Sequence, residues 1–541
     1  MLDFRSDLST RFTERLFVAI LLTAALVLFL TATANAQTIA FKQAVAAAAL
    51  DDVDIAAFYQ ERDYRPIWTG DDDQERRKAF LAAVGTASDH GLPAGRYDAE
   101  QLIVDFGAVK TARGRGYLEV ETTKRFLLFA HDIQSGILDP DKLSEDIAVV
   151  APRRDRLVML REFSESVPSA FLRNLPPKHP DYARLLKEKA RLENILATGD
   201  WGATVNANKL KPGRKHEAVA AMRNRLYLMG YVSASESNEY SDDLVLAVQQ
   251  FQTDHGLTDD GVAGNSTIDA LNVSVESQLK QVIIGLERQR WLNLDRGKRH
   301  IFVNQADFKA YVFDDGKATF ETRVVVGKTS SQYRTPEFAD EMTHLIINPT
   351  WHVPQSIARK EYLPMLLQNP GALGRQGIVM TDISGQKVDP SEIDFTQYST
   401  SDFPFDLKQP PGSANALGKV KFMFPNKFNV YLHDTPSKSL FGRDIRAFSH
   451  GCVRVQRPMD LAYFLLAPQS DDPEGLFNGH LKSRRETQVD LVTPIPVYLV
   501  YHTVWVTAQG RVNYRLDPYG RDKLVFEALE KAGVELRAPR S

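Results

Sequence analysis

The chain has no second cysteine. Cys452 stands alone among 541 residues, so no intramolecular disulfide can form. A disulfide oxidoreductase that resolves its mixed disulfide with a second thiol is excluded with it. An excess of charge of one sign is also missing. The 66 basic and 69 acidic side chains leave a net charge of −3, and no basic stripe points to nucleic acid. Neither Cys-x-x-Cys nor His-Glu-x-x-His occurs, which removes the strongest sequence signals for bound zinc. Long hydrophobic runs are absent beyond residue 30. The one run present, Leu16 to Leu30, follows Arg5, Arg11 and Arg15 and precedes Ala34-Asn35-Ala36. That is the layout of a secretory signal peptide over residues 1–36. At about fifteen residues it is short for a spanning helix. The expectation is an exported, soluble chain, tethered to a membrane only if this segment is retained.

What is present divides by character. Hydrophobic residues at 43% and charged residues at 25% are ordinary for globular domains, and the length suggests about three or four of them. Residues 37–205 read as a helical scaffold. Val120 to Ile133 carries an apolar stripe at Phe126, Leu127, Ala130 and Ile133, and Asp181 to Leu196 another at Tyr182, Leu185, Leu186 and Leu192. Trp68 and Tyr64 are read as core aromatics before sugar contacts. Residues 206–275 read as a small helical module, with stripes at Ala218, Val219, Met222 and Leu226 and at Leu244, Val245, Val248 and Phe251. Gly256, Gly261 and Gly264 mark tight turns between its helices. From about residue 290 to the end, short β-branched runs such as Ile301–Asn304, Thr322–Val326, Leu345–Asn348, Val420–Phe424 and Phe428–His433 predict a β-rich domain. The proline-rich stretch from about 351 to 411 interrupts it as a lid or binding insertion. The predicted class is multidomain α+β.

The chemistry centres on Ser449-His450-Gly451-Cys452-Val453-Arg454. A thiolate is the attacking form of cysteine, and a free thiol titrates near ~8.5, so a neighbour is expected to favour ionisation. His450 and Cys452 share one side of an extended segment, and His433 sits far enough back to lie on a neighbouring strand. Spacing alone leaves either histidine as the base. Tyr431 and His433 share a strand face. The amides of Gly451 and Cys452 are candidates for an oxyanion site, and the Arg454 guanidinium for a substrate carboxylate. His433, His450 and Cys452 together make only a weak zinc pattern, and no metal or cofactor is expected.

His433 followed after fifteen residues by Ser449-His450-Gly451-Cys452 resembles the signature of the L,D-transpeptidase (YkuD-like) catalytic domain of bacterial cell walls. Arg454 stands where that signature usually has asparagine, as in the large Gram-negative branch. Trp351-His352-Val353-Pro354, Gln409-Pro410-Pro411-Gly412, Asn415-Ala416-Leu417-Gly418 and Tyr431-Leu432-His433-Asp434-Thr435-Pro436 are similar to further marks of that branch. His255-Gly256-Leu257 and Asp260-Gly261 resemble a peptidoglycan-binding module. The resemblance implies Cys452 as nucleophile, His433 as general base and the Asp434 carbonyl as its orienting partner. It also implies His450 in support, and Gly451 and Cys452 amides as the oxyanion hole. Arg454, Ser449, Tyr431 and Trp351 would contact substrate, under a capping insertion. The implied partner is the peptidoglycan stem peptide, a tetrapeptide donor and a diamino-acid acceptor, with 3–3 cross-links as product and carbapenems as acylating inhibitors. An L,D-carboxypeptidase, a lipoprotein-anchoring enzyme and a non-catalytic wall scaffold are the competing expectations, and the periplasm is the expected location.

Overall fold

The computed structural model describes residues 16–18, 20–23 and 36–536. The expected signal peptide therefore falls almost wholly outside the described residues, and no helix among them is long and apolar enough to cross a membrane. The described residues form two compact units: those up to 137 with 152–179 and 529–535, and those of 138–151 with 180–528 and 536.

The first unit is helical. Its longest helix, Ala112–Ser135, contains the predicted stripe and buries Phe126 against Phe163, ring centroids 4.2 Å apart. Trp68 is fully buried and donates its indole N–H to Thr123 Oγ1 at 2.9 Å, so it is core, as its apolar neighbours imply. Glu119, also buried, accepts from the amides of Ile67 (2.6 Å), Trp68 (3.1 Å) and Thr69 (2.8 Å) and from the Tyr59 hydroxyl (2.9 Å). A non-helical strap is thereby pinned to the central helix through one carboxyl.

The second unit holds the rest. The helix Pro180–Thr198 was expected to belong with the scaffold. It packs instead along the helix Val275–Trp291, where Arg290 donates to Tyr182 Oη at 3.1 Å. Its amphipathic stripe predicts a helix but is silent on which partner covers it. The small module has helices Glu217–Leu228, Asp242–Asp254 and Asn265–Leu271. Gly256 and Gly261 adopt left-handed φ of 69° and 71°, as their turns require. Gly264 does not; it precedes the third helix.

The β-rich region opens with β1 (Arg299–Asn304), β2 (Lys309–Asp314), β3 (Lys317–Gly327) and β4 (Phe338–Ile347). The insertion adds β5 (Trp351–His352), β6 (Val379–Thr381), β7 (Lys387–Val388) and β8 (Asp406–Gln409). Then come β9 (Val420–Met423), β10 (Leu432–His433), β11 (Ala447–Ser449), β12 (Val453–Val455) and β13 (Thr487–Val500), with a terminal hairpin of β14 (Val504–Val506) and β15 (Val512–Tyr514). The main sheet runs β11-β3-β12-β10-β9-β4-β13-β1-β2, and β2 pairs back onto β3. The sheet therefore closes around a core that includes Val324, Phe422, Leu432 and Val453. The insertion is a separate layer with its own sheet, β5-β8-β6-β7, and its own apolar core around Leu366, Phe403 and Leu407. Asn415 staples its two ends: its Nδ2 donates to Pro349, Gln409 and Pro410 carbonyls at 2.9 to 3.0 Å.

Candidate active site

β10 and β12 run parallel, with Leu432 opposite Val453 and His433 opposite Arg454. Leu432 and Val453 point into the core, so side-chain alternation puts His433 and Arg454 on the outer face. Cys452 lies one residue before β12. Its level partner is Tyr431, whose carbonyl accepts from the Val453 amide at 3.0 Å. Cys452 and His433 are thus diagonal neighbours on one face, with backbones on the order of 8 Å apart by sheet spacing. Lys421 of β9 faces His433 from the other side, so two cations flank the imidazole.

His433 is buried. Its Nδ1 lies 2.5 Å from the Asp434 carbonyl oxygen. A carbonyl only accepts, so Nδ1 carries the proton and Nε2 keeps its lone pair. Burial, the Arg454 charge and the Lys421 charge depress the imidazole to a pKa of about 3, against the Asp434 contacts. The ring is neutral near pH 7. The Asp434 carboxylate is fixed in turn by the amides of Lys419 (2.9 Å) and Thr435 (2.7 Å) and by Lys438 Nζ (2.6 Å). Gly418, at φ 60°, makes room for it: a Cβ there would lie 2.2 Å from Asp434 Oδ2.

The thiol is not held ionised. Burial pushes Cys452 up to about 11, although hydrogen bonds from the Tyr431 main chain and phenol and the charges of Arg454 and Lys421 draw it down. The thiol donates to the Asn429 carbonyl, with sulfur and oxygen 3.6 Å apart. The expected thiolate is thus replaced by a neutral thiol near a neutral base, because desolvation outweighs the neighbouring cations. The predicted strand Phe428–His433 is also shorter than expected. Asn429 takes φ 53°, and Asn426 Oδ1 accepts from the amides of Phe428 and Val430 at 3.0 and 3.2 Å, making a turn that presents the Asn429 carbonyl.

The loop before the cysteine departs from the expectation for His450. An extended run would hold His450 and Cys452 on one side, but β11 ends at Ser449 and Gly451 takes φ 115°. His450 Nε2 lies 2.6 Å from Glu361 Oε1 of the insertion and 3.1 Å from Lys328 Nζ, with its ring edge-on to Tyr333. Its ring nitrogen is occupied by the cap. Ser449, expected to touch substrate, turns inward: its hydroxyl donates to the Cys452 carbonyl at 2.5 Å and accepts from the Gly451 amide at 3.2 Å. Of the two amides expected in an oxyanion site, only that of Cys452 has no hydrogen-bond partner among the described residues. Arg454 makes no ion pair among the described residues, and its Nε is buried without a partner. Trp351 packs on the core of the insertion, 6.4 Å from the Tyr362 ring. Among the described residues no cluster of three His, Cys, Asp or Glu side chains is placed to hold a metal ion.

Comparison with known families gives three matches along the chain. Residues 298–490 match the L,D-transpeptidase catalytic domain (YkuD), 215–271 a "Putative peptidoglycan binding domain", and 53–188 a "Scaffold domain". The chain carries an L,D-transpeptidase catalytic domain. A protein of Haemophilus influenzae described as "Putative L,D-transpeptidase" is 33% identical over 252 residues, 47% of this chain and 50% of that protein. The chain thus spans about half the length of this curated relative. Solved L,D-transpeptidases from Xylanimonas cellulosilytica and Stackebrandtia nassauensis are each 14% identical. They cover 54% and 55% of this chain and 98% and 96% of their own, with TM-scores of 0.17 and 0.21.

Within the transpeptidase domain, Glu361, Lys421, Lys328 and Asn429 are the site residues that sequence reasoning missed. Lys421 had a signal, since it stands in the β9 run beside the His433 strand. Glu361 had none. It lies in a single π-helical turn, Ala358–Tyr362, a distortion that recurs at functional sites and is invisible to apolar periodicity.

Proposed function

We propose that this protein is a peptidoglycan L,D-transpeptidase that forms 3–3 cross-links through a Cys452 thioester. The observation that carries the reading is the proton acceptor of His433. Its Nε2 is unprotonated because Nδ1 is committed to the Asp434 carbonyl, and it stands on the same sheet face as the thiol.

Acyl transfer follows in balanced steps. Cys452 Sγ attacks the carbonyl of the third residue of a tetrapeptide donor while its proton passes to His433 Nε2. The Cys452 amide is the donor open to the developing oxyanion. As the C–N bond breaks, His433 returns the proton to the departing amine of the terminal D-alanine, leaving a thioester. A side-chain amine from a second stem then attacks that carbonyl. The C–S bond breaks, and the amine's proton returns to sulfur through His433. Arg454, unpaired and beside the thiol, suits a stem carboxylate. The insertion, tied to the loop through Glu361, limits water at the thioester stage. The peptide bond already present in the donor supplies the energy, so no nucleotide enters.

The reading also places the working chain in the periplasm after export through residues 1–36, which fractionation with and without that segment tests. For the chemistry, purified protein is incubated with a carbapenem and its intact mass measured. One adduct is expected on the wild type and none on Cys452→Ala. A wild-type chain that gains no mass would remove the thioester mechanism. Unchanged 3–3 dimers in wall from cells lacking the protein would remove the acceptor assignment.

A further inference from the structure

Gly451 and Cys452 carry four polar main-chain groups, and three of them are held. The Gly451 amide donates to Ser449 Oγ at 3.2 Å, and the Cys452 carbonyl accepts from the same hydroxyl. The Gly451 carbonyl accepts from Thr335 Oγ1 at 2.7 Å. Only the Cys452 amide has no partner among the described residues.

The bond from Thr335 sets the direction of that free amide. The Gly451 carbonyl and the Cys452 N–H belong to one planar trans peptide, in which they point in opposite directions. Thr335 is fully buried. Its hydroxyl therefore draws the carbonyl inward and turns the N–H outward. Gly451 stands at φ 115°, and glycine moves between conformations at little cost. The loop's own sequence does not fix this plane, so the hold comes from outside the loop.

Thr335 is itself fixed at each of its polar groups. Its Oγ1 accepts from the Gly327 amide at 2.9 Å, and its single hydroxyl proton goes to Gly451. Gly327 ends β3, and the backbone of residues 333–335 lies directly on it. A Cβ there would be 1.9 Å from the Tyr333 carbonyl oxygen and 2.7 Å from the Thr335 amide nitrogen. The Thr335 amide donates to Tyr519 Oη at 3.4 Å, and that hydroxyl donates to the Gly327 carbonyl at 2.6 Å. The Thr335 carbonyl accepts from Arg521 at 2.9 Å. Arg521 is anchored in turn on Gln305 at 3.2 Å and on the Asp146 carboxylate at 2.9 Å. Tyr519 and Arg521 both lie beyond residue 490, where the match to the catalytic family ends.

We infer that Thr335 is a positioning residue for acylation: its hydroxyl, braced by Tyr519 and Arg521, aims the Cys452 amide at the oxyanion. The inference rests on the reading of Cys452 as an acyl-transfer nucleophile. It adds that the segment after the matched domain supports the reacting site. Valine at 335 would keep the branched shape and lose the hydroxyl, leaving the Gly451 peptide free to rotate.

The test separates carbonyl chemistry from thiol chemistry on the full chain. Carbapenem acylation passes through an oxyanion. Alkylation of Cys452 by iodoacetamide displaces iodide from a CH₂ carbon and forms none. Thr335→Val should lower the maximal acylation rate by about 30-fold, less than deleting an oxyanion donor outright, and leave alkylation within about twofold of wild type. Thr335→Ser, which keeps the hydroxyl, should acylate within about threefold of wild type. Tyr519→Phe removes one brace but keeps the ring stacked on Tyr501. It should show the same selective loss at about fivefold, and it decides the matter if the valine variant does not fold. Acylation unchanged in the variants that fold overturns the inference, as does acylation and alkylation slowed in equal measure, which marks a merely structural role. A wild-type chain that is alkylated but never acylated removes the transpeptidase reading and this inference with it. A wild-type chain that is acylated, with variants that lose nothing selectively, removes this inference alone.

Discussion

Two buried polar groups, the Glu119 carboxyl of the helical unit and the Arg454 Nε of the catalytic face, differ in whether the chain itself satisfies them. In the helical unit, Glu119 is fully buried, and its oxygens are met by three backbone amides and two hydroxyls. On the catalytic face, the Arg454 Nε is buried without a partner and the Cys452 amide has none. Satisfied polar groups in a core specify one conformation, whereas unsatisfied ones store a free-energy cost that a ligand can relieve. The difference separates a polar group that holds the fold from one kept open for substrate.

Four experiments sharpen or break this contrast. The largest effect is expected at the base. His433→Ala should lower the rate of carbapenem acylation by roughly 10³-fold, within the usual range for losing a general base. His450→Ala, which removes the contacts to Glu361, Lys328 and Tyr333, should cost roughly tenfold or less by comparison. Stopped-flow acylation measures both, and the reverse ranking would overturn the assignment of His433. Next is Glu119→Ala. It strands the amides of Ile67, Trp68 and Thr69 and should destabilise the helical unit by about 3 kcal/mol in a denaturant titration. Acylation of the surviving folded protein should be unchanged. A stable variant would mean that Glu119 does not pin the strap.

A smaller effect is expected at Arg454. Arg454→Ala should lower kcat/KM for a tetrapeptide donor by roughly tenfold, about 1.4 kcal/mol. It should leave the melting temperature nearly unmoved, because the guanidinium has no internal partner to lose. Loss of stability without loss of kcat/KM would make Arg454 a packing residue. The smallest effect is that of pH. With His433 near 3 and Cys452 near 11, the imidazole is protonated only in strong acid and the thiol ionises only in strong base. Acylation should therefore be nearly flat from about pH 5 to pH 9. A rate that rises with an inflection between pH 6 and 8 would show that the pair is ionised at rest.

The same contrast explains how much of the site was legible in the sequence. Cys452 was visible through its solitude and its flanking histidines, and His433 through alternation with Tyr431 on one strand face, because strand parity is a local property of two residues. Spacing left His433 and His450 equal as bases. The structure separates them: Gly451 at φ 115° ends the extended backbone, and a carboxylate 89 residues earlier reaches His450. Neither fact has a local signature. The same holds for the helix Pro180–Thr198. Its apolar stripe was readable, but its partner was not, since a stripe is covered equally well by any apolar surface of the right shape.

The linear order of residues was enough to determine one thiol, a histidine on an adjoining strand and an α+β chain in several parts, because composition, parity and turn chemistry act over a few neighbours. Tertiary structure alone decided that desolvation shifts the His433 imidazole down and the Cys452 thiol up, that Ser449 serves the loop and that the cap grips His450. Those outcomes depend on desolvation and on contacts between residues far apart along the chain, and both arise only once the backbone has closed around its core.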